Sequence, residues 1–300
     1  MNTTQVLSEI VATRGAHTDP TRRHDFVFLF DVMDGNPNGD PDAGNLPRVD
    51  PETMHGLVTD VCVKRKVRDW VDVTLGEQAR FKIYVQNKGI ALNELHRRGY
   101  EQLGIKSDKP SSSEVERVRE WMCANFYDVR TFGAVMTTKV DAGQVRGPLQ
   151  LTFSRSVDPI TPLDLAITRV AITKEGEDKN TEIGRKTLVP YALYVGHGFF
   201  TPHFALRTNF SAEDLAIFWM ALQQAWELDR SASRGLMSLR GLYVFTHERA
   251  LGDAPAHQLF DLIQPQLRTG ITSPRRFADY ALTVDTVNLP AGVTLTRLVG

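Results

Sequence analysis

Residues 34–48, DGNPNGDPDAGNLPR, contain three Gly, three Pro and three Asn in fifteen positions. Such a segment continues neither a helix nor a strand, because Pro fixes φ and removes a donor while Gly and Asn favour turns. It lies between two strongly patterned stretches. DFVFLFDVM (25–33) is an apolar, β-rich run of the kind that forms a buried strand. HGLVTDVCVKRKVRDWV (55–71) reads as a helix, with Val63, Val67, Trp70 and Val71 at i, i+4, i+7 and i+8 on one apolar face. Any fold for this chain must therefore hold a long, turn-rich loop at a strand-to-helix corner.

Further elements follow the same logic. FKIYVQ (81–86) and PLQLTFSRSV (148–157) read as strands, and SSSEVERVREWMCANF (111–126) as a capped helix. SAEDLAIFWMALQQAWELD (211–229) has a Ser cap, early acids and Leu215, Phe218, Trp219, Leu222 and Trp226 on its apolar side. LYVFTHE (242–248) reads as a closing strand. TRVAIT and TLVPYALYV flank the charged stretch KEGEDKNTEIGRK (174–186), the pattern of a long hairpin with a solvated tip. Strands and helices alternate irregularly, with loops too long to be plain connections. That pattern suits an α+β core of ferredoxin-like type with insertions.

Composition excludes several classes. With 42% hydrophobic residues the chain can bury a core, and a net charge of −1 excludes a general polycation, so any nucleic-acid role needs a local basic stripe. Residues 188–206 carry no Asp, Glu, Lys or Arg, but two Pro, two Gly and many β-formers predict buried strands there rather than a membrane span. Cys62 and Cys123 form no spacing motif and read as buried thiols in a reducing compartment. The start lacks a signal-peptide layout, so a cytoplasmic protein is expected, with residues 1–21 a leader outside the core.

Three catalytic or metal readings compete for the loop and its neighbours. Asp34, Asn36, Asn38, Asp40 and Asp42 have the odd-position spacing of a calcium loop with Gly39 in sixth place, but Asn45 stands where a bidentate Glu is needed. Asp31, Asp34, Asp40 and Asp42 are near enough in sequence for a two-metal nuclease, without a second acidic cluster to match. His197 and His203 lack helical-pair spacing and neighbouring ligands, so no metal or other cofactor is expected. The basic residues form a different pattern. Arg48 ends the loop, and Lys64, Arg65 and Arg68 follow on the helix within about a third of its circumference. Asn36, Asn38 and Gly39 add backbone N–H groups suited to close approach by phosphate. RSASRGLMSLRG (230–241) interleaves small residues with Arg230, Arg234 and Arg240, the last two of them candidate contacts. The expected interface is this set.

At this point FDVMDGNPNGDPDAGNLPRVDPETMHGLVTDVCVKRKVRDWV (30–71) resembles the N-terminal signature of the type I-C CRISPR Cascade backbone subunit family. DVRTFGAVM, which contains the further candidate Arg130, and GPLQLTFSRSVDPI are similar to that family too. The resemblance covers residues 22–300. It implies an RRM-like palm over that range with fingers inserted at about 87–147 and a thumb hairpin at about 170–190. It also implies a non-catalytic protein whose copies line up head to tail on one CRISPR RNA and present it to target DNA. Other Cascade subunits and a separately recruited helicase-nuclease complete the machinery, and no membrane is involved. Ile183, Arg185 and Lys186 become thumb candidates, with Ile183 a wedge between bases or a hairpin packing residue. The competing implication, from related type III subunits, is a metal-dependent RNase that uses an Asp of the 31–42 loop.

Overall fold

The computed structural model describes residues 15–86, 88–106, 109–169 and 182–300, without the side chains of residues 169, 182 and 183. Six elements build the core: β1 (His24–Gly35), α1 (Asp60–Leu75), β2 (Ser154–Pro159), β3 (Glu182–Phe200), α2 (Ala212–Leu228) and β4 (Leu236–His247). They lie in the sheet order β4-β1-β3-β2, with every neighbouring pair antiparallel. This is the doubled split βαβ of the ferredoxin-like, RRM-like fold.

β1 is central because both of its faces are apolar. Phe26, Phe28, Phe30 and Val32 pack under α1 and α2, while Val27 and Leu29 point into a second apolar layer. Phe30 stacks on Tyr194 and Trp226 with ring centroids 5.1 and 4.4 Å apart. Both helices bury the residues that their periodicity selects: Val63, Val67, Trp70 and Val71 on α1, and Leu215, Phe218, Trp219, Leu222 and Trp226 on α2. Thr59 caps α1, and Ser211 with Asp214 forms a capping box on α2.

The opposite sheet face is also closed. Helix Ala256–Phe260 and the hairpin Ile263–Leu267/Tyr280–Val284 lay Leu259, Leu262, Ile263 and Tyr280 over Val27, Leu29, Tyr191, Leu193, Tyr243 and Phe245. Strand Val293–Val299 extends the sheet beyond β4. Between α1 and β2, helices Leu92–Gln102 and Ser112–Asn125 and the hairpin Gly133–Thr137/Asp141–Arg146 enclose a separate apolar cluster of their own. Strand Leu163–Arg169 pairs with the Glu182–Leu188 end of β3 as a projecting hairpin. Residues 170–181, which carry most of the expected thumb tip, lie outside the described residues.

Several local expectations change. Residues 81–86 are not a strand: a 3-10 turn, Ala79–Phe81, leads into an isolated bridge at Lys82. The N–H groups of Tyr84 and Val85 donate to the Asp128 carboxylate at 2.8 and 3.0 Å instead of to a neighbouring strand. The start of the 55–71 helix is a short strand, His55–Val58, because Thr59 caps the helix four residues later. Residues 188–206 divide into β3 and helix Pro202–Thr208, and among the described residues no helix is long and apolar enough to cross a membrane. Residues 1–14 of the expected leader lie outside the described residues, whereas its end packs on the core: the Trp219 indole N–H donates to the His17 carbonyl at 2.8 Å.

Candidate nucleic-acid interface

The 34–48 loop is a folded-back, braced structure. Gly35 pairs with Val189 on β3 and tolerates no side chain, because a Cβ would stand 2.0 Å from the Arg234 carbonyl oxygen. The Asn36 N–H donates to the Ser233 carbonyl at 2.7 Å, and the Asn36 amide Nδ2 donates to the Asn45 carbonyl at 2.7 Å. Asn38 Oδ1 accepts from both the N–H and the hydroxyl of Thr59 at 2.9 Å, tying the loop to the cap of α1. Gly39 and Asp40 pair with Pro47 and Leu46. The loop turns at Gly44 and Asn45, with φ of 62° and 64°.

Gly39 is thus needed for a different reason from the positive φ that an Asn-Gly step suggests. It lies in the short ladder, where a Cβ would stand 2.0 Å from Asn45 Oδ1 and 3.0 Å from the Asn45 carbonyl. Gly39→Val is expected to displace the Asn45 wall and weaken RNA binding about tenfold, the equivalent of one to two kcal/mol of overpacking. Asp40→Asn removes only a half-exposed ion pair to Arg48 at 3.1 Å and keeps an oxygen to accept from the Asp42 N–H. Its effect should stay within about twofold. RNA affinity of the two folded variants at one salt concentration, checked by circular dichroism, reads the ranking; the reverse order rejects this role for the loop.

Most of the expected basic stripe is committed to the fold. Arg130 is fully buried and pairs with Asp214. Arg68 is 8% exposed, donates to Asp128 at 2.8 Å and lies over the Phe132 ring. Neither is available to a phosphate, so the two leave the candidate set. Lys64 pairs with Asp60 at 2.9 Å and also faces Phe132. Arg65 alone of the helix trio is exposed, 3.9 Å from Asp69. Arg234 donates to the Asn36 and Pro37 carbonyls at 3.2 and 2.9 Å and so braces the loop from behind. Arg240 pairs with Asp31 at 2.9 Å and covers Phe277. Residue spacing places Lys64 and Arg68 on one side of the helix correctly, but it does not report that Asp128 and Phe132 pack there. Lys66, buried against Asp229, is a further brace that no sequence pattern marks.

The thumb base behaves differently. The Arg185 side chain is 80% exposed and pairs at 3.0 Å with Asp164, whose side chain is 42% exposed. Arg185, Lys186 and Thr187, with Asp164 beside them, form one wall of a cleft of about 410 Å³ whose other walls are Asn36, residues 43–46 and Ser233. The Thr187 hydroxyl donates to the Asn45 carbonyl at 3.3 Å, closing the cleft floor. The Ile183 side chain lies outside the described residues; its backbone pairs with Thr168. The cleft therefore joins the opening loop, the 230–235 segment and two cations in one place, a union of segments that are remote in sequence.

The acidic residues do not assemble. Asp31 is buried between Arg240 and the Tyr191 hydroxyl, in the layer under the C-terminal hairpin. Burial pushes its carboxyl above the ordinary range despite the pull of Arg240 and Tyr191. Asp34 and Asp42 are exposed, and Asp40 is held by Arg48. His197 stacks on Phe260 at 4.4 Å, and burial lowers its pKa, while His203 is exposed. Among the described residues no three His, Cys, Asp or Glu side chains are grouped to hold a metal ion.

Comparison with known proteins adds the family. The model of the family described as CRISPR-associated protein Cas7 matches residues 22–285. A curated CRISPR-associated protein Cas7 from Haloferax volcanii is 26% identical over 223 residues, which is 67% of this chain and 64% of that protein. This chain thus spans somewhat less than two thirds of the length of that relative. A solved chain of a "CRISPR RNA-guided surveillance complex, pre-nicking" has a TM-score of 0.49 at 15% identity, covering 74% of this chain and 78% of its own. Another, of a "CRISPR RNA-guided surveillance complex", has a TM-score of 0.45 at 13% identity, covering 74% and 68%. Because the family model runs through nearly the whole chain, from the first core strand to the C-terminal hairpin, the protein belongs to the Cas7 family of CRISPR-associated proteins.

Proposed function

We propose that this chain is the non-catalytic, guide-RNA-binding backbone subunit of a type I-C Cascade complex in the cytoplasm. Copies line up head to tail on one CRISPR RNA and hold it open for pairing with target DNA, beside other Cascade subunits. A separately recruited helicase-nuclease performs cleavage. The observation that carries this reading is the cleft between the braced loop and the Arg185–Lys186 wall, in a chain of the Cas7 family. An RRM usually stacks bases on its open sheet face, but that face is covered here by the C-terminal hairpin. A strand of RNA is then left to the loops and the hairpin. Exposed Leu163, Leu165 and Ile167 alternate along one side of that hairpin and suit coverage by a neighbouring copy.

Sequencing of the nucleic acid that co-purifies with the protein tests the reading. Short RNA of repeat-spacer type is expected, and random cellular RNA or none rejects it. The cations of the cleft give a second measure. Arg185→Ala with Lys186→Ala should lower the salt-dependence slope of RNA binding by about 1.4, since each single-strand phosphate contact contributes roughly 0.7. Arg65→Ala, at a residue that does not line the cleft, should leave the slope unchanged. Equal slopes for wild type and the double variant would remove the cleft from the guide path.

A further inference from the structure

Asn36 carries an acceptor that the fold leaves unpaired. Its Nδ2 donates to the Asn45 carbonyl at 2.7 Å, and a carbonyl partner fixes which end of the amide is nitrogen. Its own N–H is spent on the Ser233 carbonyl. Oδ1 then has no donor, although the residue is only 3% exposed. Leaving a buried amide oxygen unpaired is costly, and such groups in folded proteins call for a partner. Ser154 Oγ and Tyr194 OH are also buried and unpaired, but Asn36 borders the cleft with Arg185 and Lys186 and they do not. Gly44 keeps the adjoining wall open: no atom lies within 4 Å of the place its Cβ would take.

The missing partner must be a donor. The phosphate, ester and ring oxygens of a nucleic-acid backbone only accept hydrogen bonds; the ribose 2′-OH donates, and DNA lacks it. Base donors change with sequence, and a holder of many different guides gains nothing constant from them. We propose that Asn36 Oδ1 accepts a hydrogen bond from a guide 2′-OH while Arg185 and Lys186 hold the neighbouring phosphate, so that the cleft selects RNA over DNA. This inference rests on the guide-binding reading above.

The test measures affinity of the purified full chain for single-stranded oligonucleotides of one sequence with ribose, 2′-deoxy or 2′-fluoro sugars. A 2′-fluorine keeps the ribose-like pucker but cannot donate. Ribose is expected to bind roughly tenfold tighter than both other sugars. In Asn36→Ala the three affinities should converge, even if loop loosening lowers them all. Asn36→Asp, which keeps acceptor oxygens, should retain the preference for ribose over 2′-fluoro. Equal binding of ribose and 2′-fluoro strands by wild type overturns the inference while leaving guide binding intact. An undiminished preference in Asn36→Ala also overturns it. Loss of binding to every oligonucleotide by wild type rejects the guide-binding reading and the inference together.

Discussion

Arg130→Ala is expected to cost the fold about 3–5 kcal/mol, the range for breaking a buried ion pair by removing one partner. The guanidinium is fully buried. Its Nε and Nη2 donate to Asp214 Oδ1 at 3.0 and 2.7 Å, and its Nη1 donates to the Arg80 carbonyl at 2.6 Å. Phe81 and Tyr127 lie beside the guanidinium at 5.3 and 5.2 Å. Asp214 belongs to the capping box of α2, so the pair ties the inserted finger segment to the palm. Removing Arg130 leaves the buried carboxylate with Arg80 as its one cationic partner. For a chain of this size the melting temperature should fall by about 5–8 °C. Thermal and urea unfolding against an Arg65→Ala control read this directly; a loss below 1 kcal/mol would show that the pair does not staple the two parts.

Acid should act through two groups in different windows. Burial pushes the Asp214 carboxyl up, but Arg130, Arg80 and the Ser211 N–H outweigh that and hold it below 3.8, so its contribution is present above that value and lost as pH falls further. His24 acts earlier. It is buried, and burial drives its pKa from 6.5 to about 4 against the pull of the Asp19 carbonyl. Its Nε2–H donates to that carbonyl at 2.8 Å, which leaves Nδ1 to accept from the Thr246 hydroxyl at 3.0 Å: the neutral ring is the one the fold fits. Between pH 6.5 and 4 the unfolded chain binds the proton that the folded chain refuses, so stability falls as pH falls, by roughly 3 kcal/mol between pH 7 and 4. Urea unfolding at pH 7, 5 and 4 should show that loss in wild type and a much flatter dependence in His24→Gln. The same pH loss in the variant would assign it to another group.

The strand-loop-helix corner was legible because periodicity reports burial directly. Phe26, Phe28 and Phe30 on alternate positions, and Val63, Val67 and Trp70 on one helical face, are buried where their spacing puts them. The capping box at Ser211 was equally local, since its partners lie three residues apart. Residues 81–86 misled because Phe81, Ile83 and Tyr84 bury their side chains like a strand while Asp128, more than forty residues on, takes the backbone donors.

Charge was the least legible property. An Arg on a helix face reads the same in sequence whether solvent, phosphate or a carboxylate lies opposite. Arg68 and Arg130 find their acids sixty and eighty-four residues away, so only the tertiary structure turned them from candidate phosphate ligands into core braces. Arg185, although paired with Asp164, and the partly exposed Lys186 stayed open to solvent because they sit on a two-stranded projection. By itself the sequence determined the buried periodic elements and the need for a turn-rich loop, because those follow from local sterics and apolar spacing. Only the packing of distant segments decided which cations remain free, that the far face of the sheet is closed, and that Asn36 meets the thumb base at one cleft, because burial and pairing energies depend on what lies across the gap and not on neighbours along the chain.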